Sequence, residues 1–141
     1  MQLALTNKWN DGSVMKFIIL STAILFSLIS FSPAAESSVP PVTIEQAEKQ
    51  LAEGAQLLDV RTKEEWDEGH LKGATLVTVT EEGFLEKAKA KLDPKKPVVV
   101  YCRSGKRSAM ATEKLRAAGF TVHDLSGGIT AWQAAGKPLL K

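Results

Sequence analysis

Val98-Val99-Val100-Tyr101-Cys102-Arg103-Ser104-Gly105-Lys106-Arg107-Ser108 contains the only cysteine of this 141-residue chain. Four consecutive apolar residues read as a strand covered on both faces, since a strand with one wet face would alternate apolar and polar positions. A short loop follows, with Gly105 and the cations Arg103, Lys106 and Arg107, and then an alanine-rich helix from Ser108 to Ala118, stopped by Gly119. A strand running through such a loop into a helix brings backbone amides and the positive end of the helix dipole beside the thiol. That setting favours the thiolate, which is the reactive form of cysteine.

Working outward, the same alternation extends in both directions. Apolar Ile44, Ala47 and Leu51 fall on one face of a helix over 44–53, closed by Gly54. Gln56 to Val60 reads as a strand, Lys63 to Asp67 as a short helical turn, and Thr75 to Val79 as a β-branched strand. A charged helix is expected over 82–92, a strand over Phe120 to His123, and a last helix over Ile129 to Ala135. Strands alternating with helices predict an α/β layer fold with a mainly parallel sheet and, through right-handed crossovers, helices on both faces. In such a sheet ligands bind beyond the carboxyl ends of the strands. Asp59 and Arg61, at the end of one strand, should therefore meet Cys102 at the same edge.

The N-terminal part reads differently. Met15-Lys16 precedes an apolar run from Phe17 to Phe31, and Ser32-Pro33-Ala34-Ala35 supplies small residues for cleavage. These are the three parts of a secretory signal, and the run is short of the roughly 20 residues a spanning helix needs. Residues 1–35 are thus expected to be a signal segment cut after Ala34 or Ala35, with Met15 as the expected start of translation. A linker is expected over 36–42 and one domain over 43–141, in a periplasmic or otherwise exported protein without stable membrane association. From residue 36 onward, 16 Lys and Arg face 15 Asp and Glu, a net charge of +1. That balance gives no reason to expect nucleic acid as a partner.

One cysteine cannot form an internal disulfide, and an idle thiol is a liability in an oxidising compartment. A free thiol with pKa ~8.5 is about 3% thiolate at neutral pH, against about three-quarters at pKa ~6.5. Lower basicity also lowers nucleophilicity, by close to tenfold over two pKa units, so the net gain at sulfur is only a few-fold. A cationic nest must therefore also serve something else, an anionic donor or a charged covalent intermediate. One cysteine and two scattered histidines, His70 and His123, provide no metal-site spacing, and no cofactor is implied.

Leu58-Asp59-Val60-Arg61, Glu65-Trp66, Gly69-His70-Leu71-Lys72-Gly73-Ala74, the Cys102 segment, Leu125-Ser126-Gly127-Gly128-Ile129 and Trp132 occur in the order of a rhodanese domain, which the chain resembles from about Thr43 to Pro138. The resemblance implies a five-stranded, mainly parallel sheet flanked by helices, and sulfurtransferase chemistry of the thiosulfate:cyanide type. Cys102 would take a sulfane sulfur from a small anionic donor as a persulfide and pass it to a thiophilic acceptor, a thiol or a protein. Residues 103 to 107 (Arg103, Ser104, Gly105, Lys106, Arg107) would hold the persulfide, with Arg103 and Arg107 steering the donor ahead of Lys106. Asp59 and Arg61 would support the loop from behind, Gly127 and Gly128 would form a turn, and Trp66 and Trp132 would pack. Three other readings stay open: a non-catalytic binding module, a persulfide carrier, and a phosphatase or arsenate reductase of related fold. The last typically has five residues between Cys and Arg, where this loop has four.

Overall fold

The computed structural model describes residues 39–141. The expected signal segment, its cleavage site and the Met15 start lie outside the described residues. Nine elements follow in order: α1 (Ile44–Ala52), β1 (Gln56–Asp59), α2 (Lys63–Glu68), β2 (Ala74–Leu76), α3 (Phe84–Lys91), β3 (Val98–Tyr101), α4 (Lys106–Ala117), β4 (Val122–Asp124) and α5 (Gly128–Ala134). The strands form one sheet in the order β2-β1-β3-β4, all neighbours parallel.

The strand count departs from expectation. Four regular strands are present, and a fifth is reduced to one residue, Val42, in a parallel bridge with Leu125 beyond β4. The Val42 amide donates to Asp124 O at 2.8 Å and its carbonyl accepts from the Ser126 amide at 2.9 Å. Val42 is buried, so the sheet takes in the last residue of the stretch read as a linker. Pro40 and Pro41 precede it, and proline cannot donate to a ladder, which accounts for the brevity of this strand. β2 is also shorter than the sequence suggests. Past Leu76 the chain keeps two bonds to its neighbour, Val77 N–H to Asp59 O and Val79 N–H to Val60 O, with both valines buried.

β3 is the central strand, and all four of its residues are buried. Its period of two divides the core. Val98, Val100 and Cys102 pack with Leu58, Val122 and the inner faces of α3 and α4, including Phe84, Ala88, Ala111 and Leu115. Val99 and Tyr101 pack on the other side with Leu57, Ala47 of α1, and Ile129 and Trp132 of α5. Each fully buried valine is worth about 1.5–3 kcal/mol, so the strand that delivers the cysteine is among the most firmly anchored parts of the fold.

The helix starts follow from local chemistry. Thr43 and Thr62 begin α1 and α2 with capping boxes, closed by Gln46 and Glu65. α4 begins at Lys106, two residues earlier than the alanine-rich pattern indicates, because Gly105 takes a left-handed conformation (φ 116°) and turns the chain straight into the helix. Lys106 and Arg107 therefore belong to the first helical turn and not to a loop. At the other end of the sheet order, β4 is displaced to Val122–Asp124 from the expected Phe120–His123.

Candidate active site

Cys102 stands one residue past β3, at the carboxyl edge of the sheet. Its sulfur accepts from the Gly105 amide at 3.1 Å and lies 3.5 Å from the Ser108 hydroxyl. The residue is 1% exposed, while Arg103, Ser104 and Lys106 around it are exposed. Burial pushes the thiol pKa up. The Ser108 hydroxyl and the amides of Ser108, Gly105 and Ser104 pull it down, and the hydrogen bonds prevail: the pKa lies below the ordinary thiol value.

One of these amides, that of Ser104, is oriented by α5 through the carbonyl of its own peptide, and the carbonyl before it is held in the same way. Cys102 O accepts from the Ile129 amide at 2.9 Å; Arg103 O accepts from the Thr130 amide at 3.2 Å and from the Thr130 hydroxyl at 2.9 Å. Both donors sit in the first turn of α5. A trans peptide sets its N–H opposite its C=O. With Arg103 O turned toward α5, the Ser104 N–H of the same peptide is turned away from that helix, on the side of the thiol.

This docking explains the glycine pair at the start of α5, which the sequence reading treats as a plain turn. A Cβ on Gly128 would lie 2.4 Å from Cys102 O and 2.7 Å from Arg103 O, backbone atoms with no freedom to withdraw. Gly128 is where the last helix closes onto the cysteine loop. The signal was in the sequence, as Gly127-Gly128, but its partner was not.

Glu65 is the second residue whose part was not read. One carboxylate oxygen accepts from Arg107 Nη1 at 2.6 Å and the other from Arg107 Nη2 at 2.8 Å. The oxygen that meets Nη1 also closes the α2 capping box by accepting from the Thr62 amide at 3.2 Å. The Arg107 guanidinium, opposed by partial burial, brings the Glu65 carboxyl down to about 2. Arg107, expected to steer a donor, thus has both terminal nitrogens engaged. Arg103 has its guanidinium 3.8 Å from Glu65 and its side chain 67% exposed, and Lys106 is also exposed. Those two are the cations open to solvent at the loop.

Asp59 and Arg61 form a buried pair behind this layer. The carboxylate accepts from Arg61 Nη2 at 2.6 Å, from Nε at 3.0 Å and from the Arg61 amide at 2.9 Å. Arg61 also donates to Gly69 O at 2.8 Å and lies 5.6 Å from the centre of the Tyr101 ring. The pair thereby joins β1 to the end of α2 and touches β3 one residue before the cysteine. His70 stacks on Trp66, ring centres 3.7 Å apart, and its Nδ1 is 3.2 Å from Trp66 O. Among the described residues neither histidine hydrogen-bonds to the sulfur, whose partners are Gly105 and Ser108.

The rhodanese-like domain model matches residues 43–135. Thiosulfate sulfurtransferase 18 of Arabidopsis thaliana is 40% identical over 116 residues, covering 74% of this chain and 85% of that protein. Thiosulfate sulfurtransferase 16, chloroplastic, of the same plant is also 40% identical over 116 residues, covering 74% and 97%. Among solved structures, a rhodanese-related protein from Thermoplasma volcanium superposes with a TM-score of 0.63 at 27% identity, over 71% of this chain and 96% of that one. The parallel sheet with its cysteine at the carboxyl edge, the amide-lined loop and these likenesses agree, and the chain belongs to the rhodanese-like domain family.

Proposed function

We propose that this protein is a thiosulfate-type sulfurtransferase working through a persulfide on Cys102. The Cys102 thiolate attacks the outer sulfur of thiosulfate; the new S–S bond forms as the old one breaks, and sulfite leaves with its electron pair. A thiophilic acceptor then attacks the terminal sulfur, leaving as thiocyanate when it is cyanide, and the thiolate returns. This is covalent catalysis in two half-reactions, with ping-pong kinetics. The observation that carries the reading is the Gly105 N–H aimed at the sulfur from 3.1 Å, within a loop whose outward carbonyls are bound by α5. The same amides serve the persulfide anion, with no side-chain base required.

The donor is small and anionic, drawn by Arg103 and Lys106, and the acceptor is a small thiol or a thiol on another protein. The engagement of Arg107 by Glu65 counts against the phosphatase reading, which asks the loop arginine to meet an oxyanion. The signal-like segment over 1–35 supports export, which mass analysis of the purified protein's N-terminus checks: a start at Glu36 or Ala35 is expected.

Intact-mass analysis after exposure to thiosulfate tests the central claim. A gain of one sulfur atom, removed by reductant and absent in Cys102→Ser, is expected, together with thiosulfate:cyanide turnover and no aryl-phosphate hydrolysis. An unchanged mass refutes the mechanism.

A further inference from the structure

Asp124 takes no part in the sulfur chemistry above, yet it ends β4, the strand paired with the one that delivers the cysteine. β3 and β4 run parallel with Val100 opposite Asp124, and Cys102 is two residues on from Val100. Val122 packs in the same layer as Val98, Val100 and Cys102, beneath α4. Residues two apart on a strand share a face, so Asp124 belongs to that face, while Leu125 belongs to the opposite layer. From above, α4 presents Ser108 and Thr112, one turn apart and both buried.

The polar groups gathered here do not balance. The single Ser108 hydroxyl proton has two acceptors in reach, Gly105 O at 3.0 Å and Cys102 Sγ at 3.5 Å. Asp124 Oδ1 and Thr112 Oγ1 are buried, and neither has a hydrogen-bond partner. A buried oxygen in that position carries a penalty that one donor would remove. Burial raises the Asp124 carboxyl above its usual range, and the nearby Ser108 hydroxyl and Arg116 oppose the rise. Arg116 is the cation α4 brings to this side, and its guanidinium is bound to Val122 O at 2.6 Å. Cys102 is the titrating group that β3 contributes.

We propose that Asp124 is a positioning residue that acts on Cys102 through Ser108, competing with the sulfur for the Ser108 hydroxyl. As a carboxylate it draws that hydroxyl toward its unpartnered oxygen and weakens the one side-chain hydrogen bond the thiolate receives. Protonated, it leaves the hydroxyl to sulfur. Only hydrogen bonds rearrange, and the proton Asp124 gains or loses is exchanged with solvent. The proposal rests on Cys102 as the reacting group, so its test is read at the thiol, without sulfur transfer.

The pH profile of Cys102 alkylation by iodoacetamide, in wild type, Asp124→Asn, Ser108→Ala and the double variant, forms a double-mutant cycle. Asp124→Asn is expected to lower the apparent thiol pKa by about 0.5–1, which after the accompanying loss of nucleophilicity is a reaction about two- to fourfold faster on the acid side of the profile. Ser108→Ala raises it, and in that background Asp124→Asn loses most of its effect. The same shift in both backgrounds means that Asp124 acts by charge alone; no shift in either means that it does not act. Both results overturn the proposal. Should Asp124→Asn not fold, carbon-13 titration of the Asp124 carboxyl in wild type and Ser108→Ala replaces it. A higher carboxyl pKa without the hydroxyl is expected, and an unchanged one overturns the coupling. Absence of sulfur transfer with an intact cycle sinks the functional reading alone.

Discussion

Arg107 and Glu65, 42 residues apart, close a two-pronged ion pair that fastens the first turn of α4 to the first turn of α2. Glu65 is at once the closing residue of the α2 cap and the partner of a loop cation. The start of each helix flanking the site is thus fixed by one carboxylate.

Glu65→Gln leaves a side chain able to close the cap, as Gln46 does in α1, but should weaken the bridge to Arg107 at neutral pH and destabilise the domain by about 1–2 kcal/mol. The carboxyl sits at about 2 in the fold against an ordinary 4.5. A depressed folded-state pKa means stability present above the unfolded value and lost as pH falls toward the folded one. Urea unfolding of wild type and variant should therefore differ fully above about pH 5 and converge between 4.5 and 2. A gap independent of pH would show that the carboxylate charge contributes nothing.

The exposed guanidinium of Arg103 should act on donor capture and not on the chemical step. Arg103→Ala is expected to raise KM for thiosulfate by about two- to fivefold with kcat nearly unchanged, and the difference should shrink in high salt. Steady-state kinetics at two ionic strengths decides it. Arg107→Ala should instead lower the melting temperature, since its partner is Glu65.

Gly128→Ala forces a Cβ against Cys102 O and Arg103 O at a positive φ of 57°. The α5 amides must then withdraw from the loop carbonyls. A loss of stability of about 2–4 kcal/mol is expected, with a rise in the alkylation pKa of Cys102 as the loop peptides lose their orientation. Gly136→Ala, where a Cβ meets nothing within 4 Å, is the control for φ alone.

Removing one member of the Asp59–Arg61 pair leaves a buried charge uncompensated, which costs about 3–5 kcal/mol. Asp59→Ala and Arg61→Ala should each fall in that range by denaturant unfolding. A loss under 1 kcal/mol in either would contradict the burial seen here, 0% and 4% exposure.

The parts of the site legible in the sequence are those written in adjacent residues. An unbroken apolar strand, a cysteine at its end, a glycine and the following helix all leave local marks, and they locate β3, Cys102, Gly105 and α4. Asp59 and Arg61 were placed at the right edge by topology alone. What escaped is encoded in pairings across the chain. Glu65 looks like one more acid in the charged α2, Gly128 looks like a turn, and Asp124 lies just past the expected end of its strand. Val42 contributes a single residue to the sheet, too little for any periodicity to reveal. The early start of α4 escaped for a different reason: Gly105 supplies no capping side chain, so nothing polar marks the boundary.

The grip of α5 on the carbonyls of Cys102 and Arg103 sets an order of events in the life of the molecule. Until the segment from Gly127 to Ala134 has been synthesised and has docked, the carbonyls of Cys102 and Arg103 have no holder, and the Ser104 peptide beside the thiol has no fixed orientation. Part of the support for the thiolate is thus supplied by a helix made some 25 residues after the cysteine, and a chain clipped before Gly127 lacks it.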